Sequence, residues 1–327
     1  MGEGLAGEAT GQVSSVPARA RPPAQPFDLS GAERRDLGER LVGIVLFACA
    51  AISVLTTVGI LFILLERAIE FFAEVSIIDF LTGTQWTPLF KGQESFGVLA
   101  LVSATLMIGA LSMLVAIPLG LMSAIYLSEY ARPGVRAVLK PFLELLAGIP
   151  TIVYGYFALT FITPEVLKPL FPETKPFNVL SASIAVGIMV LPMVASLSED
   201  ALRAVPRSLR EGAYAVGATK FEVSTRVIVP AALSGIVASI ILAVSRAIGE
   251  TMIVAIASGS RAQVAKDPLD GAQAMTGYIV QVFSGDVVSG SVVYKSLFAV
   301  GLLLFAMTLL MNIFSQWVVT RFREVYQ

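Results

Sequence analysis

The sequence predicts an all-α, polytopic membrane protein with six transmembrane helices and both termini in the cytoplasm. Three observations carry that expectation. The 327-residue chain is 56% hydrophobic and 14% charged, with a mean hydropathy of +0.79, where a soluble domain carries about 25% charged residues. It holds five charge-free runs, and one nearly so, each long enough to cross a hydrocarbon core of about 30 Å at about 1.5 Å per residue. Its Lys and Arg residues are unequally divided between alternate connections.

Residues 1–40 contain Pro17, Pro22, Pro23, Pro26 and five Arg, with no apolar run of signal-peptide length. Such a segment cannot bury enough apolar surface to offset its ordering entropy, so a disordered cytoplasmic tail is expected. The membrane domain, 41–327, begins with the span 41–65, followed by Glu66-Arg67-Ala68 and no small-residue cleavage pattern. The run 96–128 is longer than a straight span needs, and Pro118 with Gly120 should kink it or end its regular part. The run 145–163 carries Gly148, Pro150 and Gly155, which mark a bend or a close helix contact, packing being the simpler of the two. Spans follow at 179–198, at 231–258, apolar except for Arg246 and Glu250, and at 296–320.

Six spans put both termini on one side. The tail, the connections 129–144 and 199–230 and the C-terminus hold 15 of the 23 Lys and Arg, against seven in the other three connections. The richer side faces the cytoplasm. The chain is thus expected to be a multi-pass protein of the bacterial plasma (inner) membrane, in contact with membrane lipid. The segments 66–95, 164–178 and 259–295 face outward, with Trp86 and Tyr294 as interfacial anchors. Arg203, Arg207 and Arg210 read most simply as anchors near lipid head groups.

The cytoplasmic connection 199–230 carries two helix starts. Ser208 with Glu211, and Thr219 with Glu222, have the S/T-x-x-E spacing of a capping box, and Gly217 between them suits the left-handed residue that ends a helix. Two short helices hinged at Gly217 are therefore expected on the cytoplasmic face, able to dock a partner. Leu209, Ala213, Val216 and Phe221 would give apolar contact, and Arg210, Lys220 and Arg226 a polar rim.

Glu211-Gly212-Ala213, Gly217 and Val227-Ile228-Val229-Pro230 together resemble the E-A-A, x3, G, x9, I-x-L-P loop of ABC importer permeases, with Gly212 departing from the usual Ala. That exchange loosens a helix by about 1 kcal/mol at most. The segments Leu145–Gly155, Ala201–Arg207 and Ser245–Met252 resemble the phosphate importer permeases, and Phe80–Pro88 is closer to their PstC-type than to their PstA-type subunit. The resemblance covers 41–327 and implies a type I importer permease fold. It also implies an ATPase-coupling element that includes Ser208, Leu209, Glu211, Ala213, Tyr214, Gly217, Ala218, Lys220 and Phe221. The partners it implies are a second, PstA-like permease, two PstB-like ATP-binding subunits carrying ATP-Mg, and an external PstS-like phosphate-binding protein. No nucleic-acid partner is expected.

Arg246 lies about 20 Å into its span at helical rise, near mid-membrane, where a charge costs about 2.5–3.5 kcal/mol on insertion scales. Glu250 is four residues on, so a continuous helix would put both on one face and let them pair. The pair either holds the bundle together or lines an aqueous path, where the guanidinium fork suits phosphate oxygens and Glu250 keeps Arg246 in place. The resemblance points to the second, substrate-pathway role. At neutral pH phosphate still carries a proton that a carboxylate can accept and sulfate does not, so Glu250 is a candidate for selectivity.

With no His and only Cys49, a zinc, haem or Cys/His nucleophile site is improbable. No G-x-x-x-x-G-K-[ST] loop occurs, so ATP is expected to be hydrolysed elsewhere. No cofactor, metal or catalytic residue is expected in this chain. The reading is a permease subunit importing inorganic phosphate by alternating access. A permease for another oxyanion or solute, and a stand-alone channel or proton-coupled transporter, remain open alternatives.

Overall fold

Apolar sequence in lipid must satisfy its own backbone, and helix is the local way to do so. A computed structural model describes residues 32–90, 92 and 94–322. In chain order the helices are α1 (Ala32–Phe72), α2 (Ile77–Thr82), α3 (Leu99–Ile125), α4 (Pro133–Gly148), α5 (Thr151–Phe157), α6 (Lys168–Leu170) and α7 (Val179–Ala204). There follow α8 (Arg207–Ala215), α9 (Lys220–Glu222), α10 (Val229–Ala231), α11 (Leu233–Ile248), α12 (Met252–Ala257), α13 (Met275–Ser284) and α14 (Val292–Phe322). Wider π-helical turns continue α3 (Tyr126–Tyr130), join α5 to α6 (Ala158–Leu167) and join α9 to α10 (Val223–Ile228). The chain divides into two units, Met1–Thr57 and Val58–Gln327, and the second holds the helices from α2 to α14.

Four helices are long and apolar enough to cross a membrane, and two bent pairs raise the number to six if each pair is one span. The bends add detail to two of the expected spans. In the third, Pro133–Gly148 and Thr151–Leu170 meet at 88°, because Pro150 forces the residue before it out of the helical region and Ile149 is extended (φ −68°, ψ 129°). Leu145 to Gly148 therefore end an amphipathic helix before the bend, and Thr151 starts the helix after it. In the fifth, Lys220–Ala231 and Leu233–Ile248 meet at 70° just after Pro230, and the helix stops again at Ile248.

Two smaller expectations also change. Helix begins at Ala32, inside the expected tail, whose residues 1–31 lie outside the described residues; Ala32 to Arg40 are mostly good helix formers and need no core to support a turn. Of the two outcomes expected at Pro118, a kink or an end, the second does not occur: α3 runs on to Ile125.

Helix α7 is the centre of the bundle, with 67% of its most apolar stretch buried against 11% for α14. Its main partner is α3. A Cβ on Gly120 would lie 2.8 Å from Val194, and one on Gly187 would lie 2.9 Å from the Ser112 carbonyl and from Val115. Both glycines thus let two backbones approach closely, the usual device where lipid supplies no hydrophobic drive for helix pairing. Ala104, Ala116, Ala182, Ala185, Ala243 and Ala247 extend this small-residue core onto α11. Asn178 caps α7, accepting from Ser181 N at 2.7 Å and donating to Thr163 at 3.1 Å.

At the other end of α3 an aromatic cluster joins Phe71, Phe80, Trp86, Phe96 and Tyr278, with Trp86 and Tyr278 edge-on at 4.9 Å. Trp86 is 1% exposed and so is a core residue, not the interfacial anchor expected. Edge-on packing against Phe80, Phe96 and Tyr278 outweighs the pull of the interface on one indole N–H.

Candidate substrate passage and coupling element

Arg246 occupies the last turn of α11, where a cation is favoured by the helix dipole. Its guanidinium lines a cavity of about 420 Å³ together with Met189, Pro192 and Ser196 of α7 and Lys140 and Glu144 of α4. Its Nη2 donates to the Met189 sulfur at 3.9 Å. Among the described residues it has no carboxylate partner.

The expected Arg246–Glu250 pair does not form. Pairing at i, i+4 needs helix through position 250, whereas α11 ends at Ile248 with Gly249 as its cap. Glu250, 8% exposed, instead accepts the backbone N–H groups of Met252 and Ile253 at 3.1 and 3.3 Å. In an unbroken helix those donors would reach carbonyls one turn back; here the carboxylate replaces them and starts α12. Thr276 on α13 donates to the Glu250 carbonyl at 2.8 Å, fixing the break from the other side.

The cavity holds residues that sequence reasoning did not single out. Glu199, with a side chain 1% exposed, meets Arg136, Lys140 and Arg203 at 2.5, 2.9 and 3.7 Å. Lys140 also reaches Asp200 at 3.2 Å. A buried carboxylate is tolerated only when it is paired in this way. Lys140 and Glu199 are 59 residues apart in sequence, so no local spacing announces them.

The 199–230 connection folds as two short helical pieces around Gly217, whose φ of +85° is the left-handed conformation expected. Thr219 and Glu222 form the full capping box. The Ser208–Glu211 box does not form: Pro206 is the N-cap of α8 (φ −54°) and sets the start upstream, so Ser208 lies within the first turn without a capping bond. Glu222 is held below its ordinary carboxylate range by the Thr219 backbone N–H, then by the Thr219 hydroxyl.

The apolar contact set divides. Leu209, Ala213 and Ala218 pack inward against Leu202, Val223 and Ile228. Tyr214, Val216 and Phe221 point outward, 45%, 85% and 68% exposed. Ser208, Glu211 and Lys220 are exposed beside them, Lys220 standing 4.9 Å over the Tyr130 ring. Arg210 leaves the expected polar rim. It turns inward to Glu129 at 3.2 Å and to the carbonyls of Leu202 and Val205 at 2.8 and 3.3 Å, because unpaired helix-end carbonyls attract a fork of donors.

Apolar helices around a cavity that holds an unpaired guanidinium, with an exposed apolar elbow between two of them, define a membrane-embedded transport subunit. Residues 116–324 match the family described as binding-protein-dependent transport system inner membrane component. The chain belongs to that family: it is an ABC importer permease subunit and a multi-pass protein of the inner membrane. It is 33% identical to the probable ABC transporter permease protein YqgH of Bacillus subtilis, over 90% of this chain and 94% of that one. It is 32% identical to the phosphate transport system permease protein PstC of Mesorhizobium japonicum over 74% of this chain and 78% of that one. The PstC of Haemophilus influenzae is 31% identical over 75% and 82%.

Solved structures show the same fold. A chain of a bacterial alginate ABC transporter, in complex with an alginate pentasaccharide-bound periplasmic protein, superposes with a TM-score of 0.63 at 16% identity, over 88% of this chain and 96% of that one. One from the inward-facing MetNI methionine ABC transporter gives 0.52 at 18% identity, over 70% and 95%.

Proposed function

We propose that this subunit passes inorganic phosphate into the cytoplasm by alternating access, driven by ATP hydrolysis in separate subunits that dock on the elbow around Gly217. The observation that carries the reading is Arg246: a guanidinium among membrane helices, open to a cavity and committed to no carboxylate. Such a group is costly unless it has a use, and its planar fork matches the oxygens of a phosphate. Relatives named as phosphate permeases support the same substrate.

Glu250 acts as a positioning residue. Helix α11 ends at Ile248, two residues after Arg246, and Glu250 starts α12; the break this leaves in mid-span makes a discontinuous helix of the kind on which transporters bind polar cargo. Tyr214, Val216 and Phe221 give the elbow an apolar centre, with Ser208, Glu211 and Lys220 at its rim, an arrangement suited to a protein cleft. The expected assembly has a second permease of PstA type, two PstB-like subunits holding ATP-Mg and an external PstS-like phosphate-binding protein. Both termini and the 199–230 connection face the cytoplasm on the Lys and Arg distribution.

The test is co-purification with the ATPase subunit, followed by phosphate-stimulated ATP hydrolysis in liposomes containing the binding protein. Gly217→Val, which forces a β-branched residue into the left-handed region, is the coupling control. Stimulation by phosphate and not by sulfate, lost in the variant, is the expected result. Stimulation by an unrelated solute in place of phosphate would overturn the substrate, and an unaltered Gly217→Val variant would overturn the coupling role.

A further inference from the structure

A second, larger cavity of about 710 Å³ adjoins the Arg246 cavity, with Lys140, Glu144 and Leu127 lining both. That second cavity is walled by Arg136 and Lys140 of α4, Arg203 of α7 and Arg207 and Arg210 of α8, with Glu144 as its lining carboxylate. Five cations on three elements thus face one concavity. Clustered in a concavity in this way, cations suit the oxygens of a phosphate group, whether of a free ion or of a lipid head group.

The neighbouring carboxylates fix how much of this charge is available. Glu199 binds Arg136, Lys140 and Arg203, Asp200 binds Lys140, and Glu129 binds Arg210. Arg207 is exposed, and among the described residues neither it nor Glu144 has an ion-pair partner. We propose that this cavity is a vestibule for a phosphate group, in which Arg207, Arg203 and Arg136 receive an inorganic phosphate leaving the Arg246 cavity. The inference rests on the reading that phosphate passes Arg246 and that the 199–230 connection faces the cytoplasm.

Glu199 sets the strength of the site. It is buried and cannot leave, so it remains a fixed counter-ion to three of the cations and keeps the vestibule from trapping what it attracts. A conduction site must bind well enough to fill and weakly enough to empty. The phosphate group of an anionic lipid has the same chemistry as the free ion, so the two sources must be separated by experiment.

The test uses the assembled importer in nanodiscs, its other subunits in cysteine-free form, with Cys49→Ser removing this chain's one thiol and Ala137→Cys, on the cavity wall, as reporter. Ser128→Cys, also lining the cavity, is a second reporter should the first label poorly. In neutral phosphatidylcholine an anionic thiol reagent should react about threefold or more faster than a cationic one, as a basic cleft dictates. Inorganic phosphate should slow labelling roughly threefold at two-thirds occupancy, and Arg207→Gln should abolish that protection.

If phosphatidylglycerol alone protects and inorganic phosphate adds nothing, the occupant is a lipid head group and the receiving role is overturned. Equal rates for the two reagents, with no protection in either lipid, overturn the vestibule altogether. Phosphate-stimulated ATP hydrolysis of the same preparation keeps the two readings apart. Stimulation without protection removes the vestibule alone, whereas protection without stimulation leaves an anion site and removes phosphate import.

Discussion

The carboxylate of Glu250 accepts the backbone N–H of Met252 at 3.1 Å, so the side chain that a continuous helix would have turned towards Arg246 is spent on starting α12. The consequence is a difference between two substitutions. Glu250→Gln keeps an acceptor oxygen for the two N–H groups, and Glu250→Ala does not. Loss of a helix-start acceptor costs about 0.5–2 kcal/mol. The Ala variant should therefore lower the thermal midpoint of the purified complex while the Gln variant stays near the parent. Equal loss in both would mean that the negative charge at the start of α12, and not an acceptor oxygen alone, is what matters. Uptake of phosphate and sulfate by the Gln variant at equal assembly tests selectivity: an unchanged preference removes Glu250 from it.

Arg210 ties the start of α8 to Glu129 at 3.2 Å and to the Leu202 carbonyl at 2.8 Å. Hydrogen bonds to charged groups contribute about 1.5–3 kcal/mol each, and truncating one partner strands the other. Arg210→Ala should loosen α8 from the end of α3, with ATP hydrolysis continuing and transport per ATP falling several-fold. A double substitution with Glu129→Gln should cost less than the sum of the single ones. Additive effects would show that the two residues act separately.

The Thr219–Glu222 box gives the elbow a pH dependence with a defined sign. The carboxyl of Glu222 is depressed below its usual value of 4.5, so its contribution is fully present above that value and fades as pH falls through the lower, folded one. Hydrogen exchange of residues 219–228, corrected for intrinsic rate, should show protection falling on going from neutral to acid pH. Glu222→Gln should show no such fall; a parallel loss in that variant would contradict the assignment.

Close approach of α3 and α7 depends on Gly120 and Gly187. A Cβ at 2.8–2.9 Å from its neighbours cannot be absorbed without movement, and overpacking costs about 1–3 kcal/mol. Gly120→Val and Gly187→Val should each lower the thermal midpoint of the detergent-solubilised protein, whereas Gly212→Ala, where nothing lies within 4 Å, should leave it unchanged or raise it.

Much of the fold was legible in the sequence, for particular reasons. Charge-free runs must be helical in lipid, so the spans at 96–128, 179–198 and 296–320 fall on α3, α7 and α14. Gly217 and the Thr219–Glu222 box were legible because each is a local device. The Ser208–Glu211 box has the same spacing and fails because Pro206 starts the helix first. The bend at Ile149–Pro150 was one of two readings of Gly148, Pro150 and Gly155, and hydropathy, which counts apolar residues and is blind to direction, could not choose it over packing. The break at 249–251 was hidden because a carboxylate at i+4 from an arginine reads as a partner whether or not the helix survives between them. Glu199 and its three cations join segments distant in sequence, and only the fold brings them together.

Passage of phosphate at Arg246, under the drive of a separate ATPase, is tested most directly by phosphate uptake into proteoliposomes. These would carry the complete importer, binding protein and ATP, with the parent compared to Arg246→Gln at equal assembly. Uptake in the parent should require the ATPase subunit and should fall at least about tenfold in the variant, the equivalent of roughly 1.4 kcal/mol. Uptake at the parental rate by a normally assembled Arg246→Gln complex would contradict that passage.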